Sequence, residues 1–223
     1  MMSVLIIGIM FSVTTFIIES QNKKADKLVV ETECFHVMKE LLQKNKVDFV
    51  SDKVKIDIRK EFQYRPRDNS IGVRSLKSQK CSNIIPALHE VGHYIEINKS
   101  GKSSKMFKFS QYAIAINRLV IIPIYLIVAL LEVLYAGNNF FLKSQCINGI
   151  IFCYFIFASI IRLSIGLSNE VLASRYAYTF IKEKYNKEII NLSRKMYFTS
   201  FLSQLLICML TISVVLNIIY YVK

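Results

Sequence analysis

Four apolar runs, residues 4–18, 119–136, 146–167 and 198–222, set the terms on which this chain can fold. Crossing a bilayer as a helix takes about 20 apolar residues. Only helices and closed barrels satisfy every backbone hydrogen bond inside lipid. Hydrophobic residues make up 53% of the 223-residue chain, which holds three prolines and seven glycines. The mean hydropathy is +0.37. This composition suits a helical membrane protein better than a soluble enzyme. The run at 4–18 is short for a span and lacks both a basic segment before it and a small-x-small cleavage site after it, so it reads as a retained anchor. The expected fold is a mainly α integral membrane protein with about four transmembrane helices and a small β element.

The net charge is +13. Its basic residues do not gather into one stripe and no nucleic-acid motif accompanies them, so the expected partner is a lipid bilayer and no nucleic acid. Residues 22–111 carry 19 Lys and Arg against 11 Asp and Glu, residues 168–197 carry six against three, and residues 137–145 hold a single Lys. The positive-inside bias places the first two segments in the cytosol and the short loop outside. The expected organisation is an anchor (1–21), a cytosolic-face region (22–111), a transmembrane hairpin (112–167), a second cytosolic segment (168–197) and a last span (198–223). Five cysteines are scattered with no C-x-x-C pair, which implies no disulfide framework. Cys81, eight residues before His89, reads as an inert thiol rather than a ligand.

Within residues 22–111, Leu28, Cys34, Met38, Leu41 and Leu42 recur at near-helical spacing. Val54, Ile56 and Ile58 alternate with polar residues as in a strand, and residues 70–74 suggest a second one. A helix is expected from Ser82 or Asn83, either of which can cap it, with Pro86 in its first turn. It should run to about Asn98, with Ser100, Gly101 and Lys102 ending it.

That helix carries His89-Glu90-Val91-Gly92-His93, which takes two of the chain's three histidines. On a helix, histidines four residues apart project from one face. Two imidazoles so placed can fill two corners of a tetrahedral zinc site. Glu90 lies beside them, where a carboxylate can accept a proton from an activated water.

Zinc catalysis needs a third protein ligand and an open fourth position. Two expected spans separate the motif from residues 168–197, so that segment returns to the same membrane side. Glu170 is the expected ligand there. Ala173 and Ser174, three and four residues on, give its helical face the small side chains that a close helix approach requires. The plainer role for Glu170 is an interfacial carboxylate paired with Arg175 or a lysine. His36 is the rival ligand, although an isolated histidine on a charged amphipathic helix is more often solvated.

At these residues the chain resembles the YugP-like neutral zinc metallopeptidases, membrane proteins with an H-E-x-G-H helix. The matching pieces are Tyr64-Arg65-Pro66-Arg67-Asp68, then Gly72-Val73-Arg74-Ser75, then residues 87–95 around the motif, then residues 169–177 around Glu170. The likeness covers about residues 55–180. It implies zinc on His89, His93 and Glu170, Glu90 as general base, and a zincin-like core carried on membrane helices. Where family members usually carry a His-Tyr-Asp-Pro-like sequence, this chain has Gln63-Tyr64-Arg65-Pro66. The HtpX-type membrane proteases are a more distant analogue.

The expected activity is therefore zinc-assisted hydrolysis of a peptide or membrane-protein substrate on the cytosolic face. Gly92 is read as room for another backbone against the metal helix. Residues 71–74 are read as a structural strand or as an edge that can pair with substrate, and Tyr64 as a buried tyrosine with a local partner before a donor to the developing oxyanion. Two other classes stand beside this one. They are a catalytically inactive membrane partner that keeps the fold, and a transporter-like protein with a structural metal.

Overall fold

The computed structural model describes residues 2–48, 52–99 and 162–222, together with single positions 105, 109, 112, 116, 123, 154 and 157. The chain divides into two compact units, one of residues 1–12, 105–167 and 204–223, the other of residues 13–104 and 168–203. The described residues form helices α1 (Met2–Lys27), α2 (Cys34–Lys44) and α3 (Cys81–Lys99), a π-helical turn (Arg162–Gly166), α4 (Leu167–Lys184) and α5 (Lys187–Val222). Three short strands, β1 (Lys55–Ile58), β2 (Gln63–Arg65) and β3 (Ser70–Val73), complete them. The described residues are thus mostly helical with one small sheet.

Among the described residues one helix, Leu5–Lys27, is long and apolar enough to cross a membrane. Four spans were expected. All but position 123 of the run at 119–136 and most of that at 146–167 lie outside the described residues, and the run at 198–222 is the C-terminal part of α5. The helix that holds the first run continues well past Ile18, through Glu19 to Lys27, so its last turns are polar. Leu5, Ile9, Val13 and Phe16 are exposed along it, the surface a lipid-facing helix presents.

α3 forms the centre of the second unit. Ile84, Ile85, Ala87, Leu88, Val91, Tyr94 and Ile95 are all buried, so the helix is covered on nearly every side. α2 packs on it through Val37, Met38, Leu41 and Leu42, an apolar stripe at helical spacing. The sheet packs on it as well, and β3 supplies the fully buried Ile71 and Val73. Ion pairs Lys44–Glu183 and Glu40–Lys184 join α2 to α4 at the surface, where such pairs add little stability.

Several local expectations change. Leu28 is not helical. Residues 28–34 run beside 78–81 through an isolated bridge of Val29 with Lys80, and there Val30 N–H donates to Gln79 O (2.9 Å), Cys34 N–H to Ser78 O (2.9 Å) and Cys81 N–H to Leu28 O (2.9 Å). That pairing postpones α2 to Cys34. α3 begins at Cys81, ahead of the expected caps, and Lys80 O accepts the first turn's N–H groups from Asn83 and Ile84. Ser82 instead donates through Oγ to Asp26 Oδ1 (2.8 Å), and Asn83 Nδ2 to Ser75 O (2.6 Å). Pro86 accordingly sits in the second turn, and the bond it would have donated to the Ser82 carbonyl is lost. Residues 100–102, the expected stop, lie outside the described residues.

The strand order is β1-β3-β2, with β1 parallel and β2 antiparallel to β3. β3 is therefore central and fully buried, which sets aside the substrate-pairing edge and leaves the structural strand. The edge on that side is β2, which local pattern did not predict as a strand. Residues 66–69 turn β2 back into β3, and Asn69 takes the left-handed conformation (φ 51°) that asparagine tolerates. The alternation expected in β1 holds at Val54 but fails at Ile58, which is 68% exposed.

Candidate metal centre

His89 and His93 lie one turn apart on α3, with ring centroids 4.6 Å apart. Glu170 comes from the first turn of α4. Its Oε2 lies 2.9 Å from His89 Nε2 and its Oε1 3.3 Å from His93 Nε2. One ligand atom from each of the three residues falls within 4.8 Å of the others. In a tetrahedron with bonds near 2.0–2.1 Å, neighbouring donors stand about 3.3–3.4 Å apart. The 3.3 Å spacing matches that size and the 2.9 Å spacing is shorter, a hydrogen-bond length; two imidazoles with one carboxylate are a zinc-type donor set that leaves a fourth corner open.

The approach of α4 depends on small residues. A Cβ built on Gly92 would stand 2.8 Å from the carbonyl carbon of Ala173 and 2.9 Å from its Cα. Glycine is needed here because the other helix's backbone occupies the space a side chain would take. Ala173 and Ala177 are fully buried on the facing side.

Electrostatics bind the three residues together. Burial pushes the Glu170 carboxyl upward, but hydrogen bonds and charge from His89 and His93 outweigh it, holding the group well below the usual carboxylate range. Burial lowers His93, yet Glu170 and the nearby Glu90 leave it above the ordinary imidazole value. Both oxygens of Glu170 go to the histidines rather than to Arg175, so the interfacial ion-pair reading is not the one adopted.

Two residues around the site were not read as such from sequence. Ser174 Oγ lies 3.2 Å from His89 Nδ1. With Nε2 on a metal, Nδ1–H donates to that hydroxyl and fixes the tautomer; without metal the roles reverse. A hydroxyl one turn beyond a candidate ligand was the available signal. Tyr197 of α5 stacks on His89 at 5.5 Å and 28°, and its hydroxyl donates to Ile85 O (2.9 Å). Burial raises its pKa well above the phenolic norm, so it stays a neutral donor. No local pattern marks Tyr197 as a neighbour of residues more than 100 positions earlier.

Glu90 faces the sheet. Its Oε2 accepts the backbone N–H of Tyr64 in β2 (2.6 Å). The Tyr64 hydroxyl accepts from Asn98 Nδ2 (3.0 Å) and lies 3.4 Å from Asn69 Oδ1, while its ring meets Tyr94 edge-on. The hydroxyl is thus that of the buried, locally partnered tyrosine and not of an oxyanion donor. His36 is exposed on α2 beside Glu33 (3.9 Å) and takes no part in the cluster. Cys81 is buried, and burial pushes its thiol up to about 11, in keeping with an inert group.

No family model matches the chain, and neither does any curated protein or solved structure.

Proposed function

We propose that this protein is a membrane-anchored zinc metallopeptidase that hydrolyses peptide bonds in a peptide or membrane-protein substrate, related to the YugP-like group. The observation that carries the reading is the convergence of His89, His93 and Glu170, with ligand atoms within 4.8 Å of one another and Glu90 on the same turn of α3. The two Nε2 atoms and the Glu170 carboxylate would hold the ion. Zinc supplies there an acidified water and a polarised carbonyl. Glu90 takes the water's proton and passes it to the leaving amine. An extended substrate laid along β2 would compete for the Tyr64 N–H and release Glu90 Oε2 for that task. The multi-pass arrangement with the site on the cytosolic face belongs to this proposal, supported by the apolar runs and the charge of the loops between them.

One observation favours a second reading. The Tyr64–Glu90 bond is also what a carboxylate fastening β2 to α3 would make, as in a structural-metal or inactive membrane partner. Purified wild type and Glu90→Gln separate the two. A peptidase keeps its zinc in both and loses at least about a hundredfold in cleavage in the variant, the usual worth of a general base. Cell peptide pools should differ in step. Identical pools, or wild-type protein without zinc, would overturn the peptidase reading.

A further inference from the structure

Beside His89 and Glu90 lies a cavity of about 200 Å³ between α1, α3 and α5. Ile18, Pro86 and Met196 contribute apolar walls, and Gln21, Thr199 and Ser200 contribute uncharged polar groups. Thr199 Oγ1 lies at hydrogen-bond distance from Gln21 Oε1 (2.8 Å), which joins α5 to α1 at the cavity. Pockets for whole small molecules run to about 300–1,000 Å³, so this one suits a single side chain.

Its charge is distinctive. The chain has 29 Lys and Arg, yet neither type lines this cavity among the described residues, and its one carboxylate is Glu90. A charged side chain would lose its water there, and a cationic one would find only Glu90, whose Oε2 already accepts the Tyr64 N–H. An acidic one would also meet Glu90. Ile18 closes the apolar run of α1 and Gln21 follows in the polar turns, so the cavity stands where that helix passes from apolar to polar.

We propose that this cavity is the specificity pocket of the peptidase, holding an uncharged side chain of Leu or Met size next to the bond to be cut. The substrate is then a peptide segment presented at the membrane boundary. The inference rests on the peptidase reading and deepens it.

The test uses the full zinc-loaded chain in nanodiscs and peptide hydroxamates, which anchor on the metal, with Ala, Leu or Glu side chains. Titration calorimetry should show wild type binding the Leu compound at least about tenfold tighter than the Ala and Glu compounds, the scale one apolar pocket can discriminate. Ser200→Phe fills the cavity and should abolish the Leu preference while leaving the Ala compound bound as before. Met196→Ala, which enlarges it, covers the case of a misfolded Ser200→Phe and should shift preference towards a Phe side chain. Equal affinities in wild type, or a Leu preference untouched by both variants, overturn the pocket. Acetohydroxamate separates the failures. If it binds while side-chain preference is absent, only the pocket is wrong. If it too fails to bind, the metal reading falls and the pocket falls with it.

Discussion

Gly92 and Ala173 meet backbone to backbone, with the missing Cβ of Gly92 aimed at the Ala173 peptide less than 3 Å away. This contact sets how near α4 comes to α3, and with it whether Glu170 reaches the histidines. Replacing Gly92 by Ala gains up to about 1 kcal/mol of helix propensity. The clash is with backbone, which cannot rotate away, and overpacking costs about 1–3 kcal/mol. The clash wins. Gly92→Ala should lower the melting temperature and reduce bound zinc at a fixed free concentration, read by calorimetry and elemental analysis. Full zinc occupancy with unchanged stability would mean that the helices are not held at this separation.

Ser174 tests the orientation of His89. Ser174→Ala removes the partner of Nδ1 while leaving all three donors in place. Zinc affinity should fall by about 10–100-fold, the usual effect of losing such a partner. Competition with a fluorescent chelator measures it, and an unaltered dissociation constant would show that the hydroxyl does not orient the ring.

Tyr64 offers two groups with different fates. Its amide goes to Glu90, while its hydroxyl goes to Asn98 and Asn69. Tyr64→Phe keeps the first and deletes the second. It should cost stability on the order of 1 kcal/mol, as a lost buried hydrogen bond does, and change kcat only slightly. A drop of a hundredfold or more would restore the hydroxyl as an oxyanion donor.

Acid and base should act oppositely on the metal-free and zinc-loaded protein. Without metal, Glu170 sits below its ordinary value, so its contribution is present above the usual carboxylate range and fades as pH falls through the lowered pKa. His93 sits above 6.5, so its contribution is full below that pH and is lost as pH rises through the raised pKa. Zinc needs both imidazoles neutral and gains affinity over the same rise. From pH 6 to 8 the melting temperature should therefore drift down in chelator and up in excess zinc. Parallel trends in the two titrations would count against coordination by these residues.

Cys34 and Cys81 should resist alkylation in the folded protein. Both are buried, and burial pushes their thiols up to about 12 and about 11, so thiolate is scarce at pH 8. Mass spectrometry after iodoacetamide should find both unmodified until denaturant is added. Rapid labelling of either would mean that the α2–α3 core opens readily.

How far sequence reaches is visible at particular residues. The four-residue spacing of His89 and His93 sets them on one helix face by local geometry alone, and the stripe on α2 follows from the same periodicity. Ala173 and Ser174 marked the face of α4 that comes close, because only small side chains permit such an approach. Glu170 was the candidate on that face. Periodicity misled where pairing with distant chain took over. Leu28 lies beyond the helix with its carbonyl taken by the Cys81 N–H, and residues 70–73 lie in the middle of the sheet because β1 and β2 flank them.

The chain's own order of residues determined that the first apolar run is helical, that one turn of α3 presents two imidazoles beside a carboxylate, and that a second carboxylate follows with room to approach. Tertiary structure alone decided that Glu170 lies between those rings, that Tyr197 stacks on His89 and that the Tyr64 amide holds Glu90. The first set depends on neighbours within a turn or two, whose geometry the backbone dictates. The second joins residues 26 to 108 positions apart, which only packing can bring together.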